Sequence, residues 1–138
     1  MMPHADMLGV LASCDADRLK AFADPLVAEL GEIEVIENRT GLVMLPMRDT
    51  AQGTNFHLGE VLMSEARIAA VGVEGFGMRR GRDLEAAMAM AVVDACIASG
   101  RATDLCTTFL DDEARHLAEA DRETLCRVEA TRVDMETF

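Results

Sequence analysis

The chain has no Trp and no Tyr, and its aromatics are five Phe in 138 residues. A core built from it is therefore aliphatic, drawn from Leu, Val, Ile, Ala and ten Met, a residue that fills irregular gaps and adapts to partner surfaces. Lysine is nearly missing: the basic residues are Arg except for Lys20. Arg suits buried or interfacial ion pairs and bidentate contacts better than Lys, a first hint of a protein partner. Positive charge is scarce altogether, with 13 bases against 25 acids and a net charge of −12. Such a field repels a polyanion, so nucleic acid is not an expected partner.

Cys14, Cys96, Cys106 and Cys126 make no C-x-x-C pair, and His4, His57 and His116 are far apart. Zinc and iron–sulfur spacings are thus missing, no metal is expected, and four reduced thiols suit a cytoplasmic protein. The N-terminus has no basic start before an apolar run, and no apolar run nears the ~20 residues that span a bilayer, so neither a signal peptide nor a membrane span is expected.

What is present reads as one α+β domain over residues 1–138, with a central antiparallel sheet, short N-terminal helices, a buried Ala/Met-rich helix and C-terminal helices. Asp6 can cap a helix over Met7 to Cys14, and Asp15 a second with Leu19, Phe22 and Ala23 on one face. "DPLVAELG" has an N-cap Asp24, Pro25 at the first helical position and Gly31 past the end, which predicts a separate short helix. The period then changes. "EIEVIEN" alternates until Ile36 breaks the pattern, "RTG" reads as a turn, "LVMLPMR" as a strand and "DTAQGT" as another turn. "NFHLGEVLMSEARIAAVGV" runs extended with a bulge at Gly59 and a bend near Ser64 to Glu65, "EGFGMRR" follows as a strand, and "GR" turns. Short connections favour an antiparallel meander. Asp83 caps a helix from Leu84 to about Ala98 that is apolar nearly all round, so it is buried on more than one side. Its Ala87, Ala91 and Ala95 leave one face flat, against the sheet of the same domain or against a second chain. Beyond "SGRATD", Asp111 or Asp112 caps an acidic helix to about Ala120, and a further one runs from Arg122 to Val128. The tail "TRVDMETF" ends on Phe138, an apolar terminus that docks on its own domain or on a partner.

The sharpest question lies in "VEGFGMRRGRDLEAAMAMAVVDA". Glycines at 75, 77 and 81 and arginines at 79, 80 and 82 precede a helix, as in a phosphate cradle. The spacing G-x-G-x-x-x-G misses the dinucleotide pattern, however, and Gly-Arg-Asp is not the Gly-Lys-Ser/Thr of a Walker loop. Asp83 also puts a carboxylate where a phosphate would sit. Ser64, Glu65 and His57 lack a G-x-S-x-G elbow, and Glu60 and Glu65, five apart on a strand, face opposite sides. On residues alone, nothing here forms a self-sufficient active site. Gly81 and Asp83 read as a structural corner whose Arg82 pairs with a carboxylate in this chain or a partner, and the chain reads as an interaction domain or a subunit.

The motifs carry a resemblance. Gly41-Leu42-Val43, Arg48, Phe56 to Val61 with Glu65-Ala66, Gly75, Gly81-Arg82-Asp83 and Asp94-Ala95 resemble the pattern of the PhnG family of the bacterial carbon–phosphorus lyase system. "MLGVLASCDADRL" is similar to the family's opening helix, and "EATRVDMETF" to its closing segment, with Met135 where Phe is frequent. The resemblance implies a cytoplasmic core complex with PhnH-, PhnI- and PhnJ-like subunits, two copies of each. It implies formation of ribose 1-phosphonate 5-triphosphate from ATP and a phosphonate such as methylphosphonate, with loss of adenine. The iron–sulfur cluster and S-adenosylmethionine belong to the PhnJ-like partner; this chain binds no cofactor, ATP being a substrate of the complex. Its own role is structural or accessory, with Arg48, Glu60, Arg79, Arg80, Arg82 and Arg132 as candidate contacts to substrate or partner and no catalytic residue assigned. The alternative is a free-standing phospho-ligand domain or small enzyme using Arg79, Arg80 and Arg82.

Overall fold

The computed structural model describes residues 2–48 and 51–132, with the backbone alone for residues 45–48 and 56–58. The described residues form α1 (His4–Ser13), α2 (Ala16–Leu30), β1 (Glu34–Arg48), β2 (Asn55–Ala70), β3 (Val73–Arg80), α3 (Leu84–Ser99) and α4 (Thr103–Ala130). The three strands make one antiparallel sheet in the order β1-β2-β3, the meander that short connections favour.

Five boundaries differ from the sequence expectation, most of them for a packing reason. Asp24-Pro25 starts no new helix. Leu19, Ala23, Leu26 and Leu30 form one buried stripe across Pro25, so α2 continues through it, and the Ala21 carbonyl that Pro25 cannot bond belongs to an exposed residue. Gly31 does end α2, at φ +71. "RTG" is no turn, because Arg39, Thr40 and Gly41 pair with Glu65, Ser64 and Met63 of a long partner strand. The irregularity sensed at Ile36 is a bulge between Val35 and Glu37, and a second shift skips Leu58 beside Gly59. No break interrupts β2 at Ser64 to Glu65; the hairpin turns later, at Val71-Gly72, both at positive φ (45° and 77°). The two expected C-terminal helices are one, α4, in which Asp111 and Asp112 lie mid-helix. Cys106, Leu110 and Glu113 are buried on the face that anchors it, and Phe109 stacks on Phe22 of α2 with ring centroids 4.1 Å apart. α1 begins at His4, so Asp6 sits in its first turn and caps nothing by side chain. Asp15 caps α2 by accepting from the Arg18 N–H at 2.9 Å.

α3 lies at the centre, against sheet and helices, with ten of its sixteen residues buried. Its Ala87, Ala91 and Ala95 face β3 of the same chain, which settles the choice between sheet and second chain. The approach is so close that a Cβ on Gly77 would overlap the Ala87 carbonyl, and one on Gly75 the Ala91 carbonyl, with the Ala95 Cβ only 2.8 Å off. Glycine is required here because two backbones touch. α3 also satisfies the free edge of β3. The Phe76 N–H donates to Oδ2 of Asp94 at 2.9 Å, and the Met78 N–H meets the Met90 sulfur at 3.4 Å. Asp94 is buried, and His4 donates from Nε2 to its other oxygen at 2.8 Å, tying α1 to the same point. Asp94→Ala leaves the part-buried Phe76 N–H without its acceptor. It is expected to cost on the order of 1–3 kcal/mol, read as a shift in a urea or thermal midpoint of the purified chain.

Candidate functional site

The arginines and glycines around residues 75–83 are built into the fold in separate places. Gly75 and Gly77 admit α3, as above. Arg79 turns towards the helices, where its guanidinium donates to the Leu11 carbonyl and, at 2.6 Å, to the Cys14 carbonyl. It thereby takes up carbonyls left free at the C-terminus of α1, a favourable place for a cation. Gly81 stands at φ +98, with open space where a side chain would be, so it is the turn residue that the sequence suggests. Its N–H donates to Leu62 and its carbonyl accepts from the buried Ser64 hydroxyl at 2.7 Å, which occupies that hydroxyl structurally.

Asp83 caps α3, its carboxylate accepting from the Ala86 N–H at 3.0 Å. Its second oxygen is 2.8 Å from Nζ of Lys20, the chain's one lysine, on α2. Arg80 and Arg82 are exposed, make no ion pair among the described residues and do not converge. Arg80 rims a hollow of about 540 Å³ with Ala12, Ser13, Val43, Val61, Met63 and Met78. Arg82 lies in another depression beside Lys20, Asp83 and Glu85. The expected carboxylate partner of Arg82 is therefore not found within the described part of this chain. Of the remaining candidates, Glu60 is exposed on β2 opposite Met44, Arg48 pairs by its backbone with Asn55, and Arg132 lies 3.4 Å from Glu129 after α4. The described side chains among these candidates are thus not gathered into one site. The tail from residue 133, including Met135 and Phe138, lies outside the described residues.

Three of the four cysteines and Glu113 are built into the core. Burial pushes the Cys106 thiol up to about 11 and raises Cys14 and Cys96, although Arg79 opposes the rise at Cys14. Such thiols are poor nucleophiles. Glu113, buried on α4, receives Arg18 in a two-pronged contact at 2.8 and 3.0 Å, which clamps α2 to α4.

The family model described as "Phosphonate metabolism protein PhnG" matches residues 3–138. The chain belongs to the PhnG family. No curated protein matches it significantly. Within this PhnG chain the stretch from Gly75 to Asp83 packs strand on helix and starts α3, while Arg80 and Arg82 are exposed. No helix among the described residues is long and apolar enough to cross a membrane.

Features that the sequence reading missed are apolar and exposed. β3 pairs only with Met63 to Ala70, so Leu42–Arg48 and Asn55–Leu62 form a bare two-stranded ribbon. Leu42 and Met44 on one face and Val43 on the other are exposed, Leu42 at 63%. The signal was legible as a lack of charge, since residues 41–62 contain only Arg48, Asp49 and Glu60.

The capping corner gives a pH prediction. The Lys20 ammonium first, and then the Ala86 N–H, hold the Asp83 carboxyl below its ordinary 3.8. A depressed folded pKa contributes stability that is full above the unfolded value and is lost as pH falls through the folded one. Asp83→Ala should cost about 0.5–2 kcal/mol at neutral pH, and Asp83→Asn less because Asn also caps. As pH falls from about 4 through the lowered folded pKa, the gap between each variant and the wild type should shrink; a difference that persists undiminished at pH 2 would show that the carboxylate is not what stabilises the corner.

Proposed function

We propose that this chain is an accessory subunit of a phosphonate-degrading assembly that makes ribose 1-phosphonate 5-triphosphate from ATP and a phosphonate such as methylphosphonate. In that reaction the bond from the ribose C1′ to the adenine nitrogen breaks, a bond from C1′ to a phosphonate oxygen forms, and adenine leaves with a proton. Family membership over residues 3–138 carries the reading. The partners on this reading are PhnH-, PhnI- and PhnJ-like subunits, with two copies of this chain in a cytoplasmic complex. The iron–sulfur cluster and S-adenosylmethionine act in the PhnJ-like partner, and ATP enters as substrate of the complex, not as a cofactor of this chain.

The accessory role draws support from where the polar groups are spent. Arg79 serves α1, Asp83 and Lys20 serve the start of α3, Ser64 serves Gly81, and Asp94 serves β3. The alternative, a free-standing phospho-ligand domain, needs Arg79, Arg80 and Arg82 to converge on one anion, and they point to three different surroundings.

The test is adenine release. The purified chain with ATP and methylphosphonate should release none, whereas the chain reconstituted with its partner subunits should turn over. Sustained adenine release by the chain alone would overturn the accessory role.

A further inference from the structure

Two parts of the chain leave the body from one end. The contacts of Lys20 with Asp83 and of the Arg101 guanidinium with the Glu29 carbonyl place α2 and α3 side by side, N-terminus with N-terminus. α4 starts at the far end and returns, reaching the start of α2 where Glu113 meets Arg18. It then runs on. Every residue from Ala118 to Ala130 is exposed, a length of roughly 20 Å at ~1.5 Å per residue. β1 runs towards the same end: it begins near the Val71-Gly72 turn, and its partner Met63 pairs with Arg80, three residues before the Asp83 cap. The bare ribbon beyond that point extends about 23–26 Å at ~3.3 Å per residue.

Both projections present apolar side chains with no core behind them. On the ribbon they are Leu42, Val43 and Met44; on α4 they are Leu125 and Val128, which continue the row of Leu110 and Leu117 beyond the body. A two-stranded ribbon by itself is only marginally stable in water, so a partner surface would complete it. The hollow at its base, rimmed by Val43, Val61 and Met63 with Arg80 at its edge, has room for apolar side chains of a partner. A second copy is disfavoured as occupant because each copy carries −12 and the distal α4 has four acids (Glu119, Asp121, Glu123, Glu129) against Arg122 and Arg127.

We infer that the ribbon and the distal half of α4 are two arms of one clamp, closed on a single different subunit whose docking face is apolar at its centre and basic around it. Charge complementarity selects that occupant: an acidic chain whose ribbon is nearly uncharged and whose distal α4 sets Leu125 and Val128 among acids attracts a basic rim and offers apolar contact within it. The inference rests on the proposed membership of an assembly, and adds which surfaces hold it together.

The test places the photo-crosslinker p-benzoylphenylalanine at Leu42 in one full-length variant and at Leu125 in another, made in the native cell growing on methylphosphonate. Illumination should join both positions to the same polypeptide, identified by mass spectrometry, and that polypeptide should be a different chain. In parallel, Leu42→Ser with Leu125→Ser should leave the melting temperature unchanged, since both side chains are exposed, yet weaken association with that polypeptide at least about tenfold. Cross-linking of one copy to another, of the two positions to different polypeptides, or of neither position to anything would overturn the clamp. A shared polypeptide from outside phosphonate metabolism would leave the clamp standing and remove the proposed function instead.

Discussion

The contact on which the structure depends is backbone against backbone, where α3 lies on β3. Gly75 and Gly77 present no side chains there, and Ala87, Ala91 and Ala95 present the smallest that a helix favours. At that separation the groups of α3 come within reach of the outer edge of β3. Asp94 and Met90, four residues apart on the helix, meet the N–H groups of Phe76 and Met78, two residues apart on the strand. An edge strand that would otherwise invite pairing with another chain is closed in this way by the chain's own helix. With α3 fixed, α2 packs along it and α1 is held to it through His4 and to β3 through Arg79.

That constraint explains why a stretch resembling a phosphate cradle serves architecture. A glycine-rich loop binds phosphate by turning backbone N–H groups towards an open space. Here the space above Gly75 and Gly77 is filled by α3, and the start of α3 is taken by the Asp83 carboxylate with the Lys20 ammonium beside it. The glycines, the arginines and the cap were all visible in the sequence, but spacing alone could not say whether a ligand or a helix fills the gap.

Signals that act locally were legible. Asp15 and Asp83 cap as expected, Gly31 and Gly100 stop their helices, and the all-apolar pattern of residues 84–99 does mark a buried helix. Signals overridden by packing were not. Pro25 reads as a start until one sees that Leu19, Ala23, Leu26 and Leu30 form a single stripe, and Thr40-Gly41 reads as a turn until β2 proves long enough to pair with it. The α+β class and the antiparallel order followed from change of period and short connections. The candidate residues Arg79, Arg80 and Arg82 were legible as a cluster in sequence but not in space, because consecutive strand residues face opposite ways and Gly81 turns the chain between them. Family membership came from motif combinations that no single element would carry, and it ties a chain with no converged site to phosphonate metabolism.

The most direct test of the account is a thermal melt of Gly77→Ala in the purified chain. Its methyl group must push α3 off the sheet, so the variant should lose at least roughly 1–3 kcal/mol of stability, or fail to fold, as overpacked cores do. A melting temperature equal to the wild type, joined to a loss of ATP or phosphonate turnover in the reconstituted assembly, would contradict it. The glycines would then be serving a ligand and not the helix.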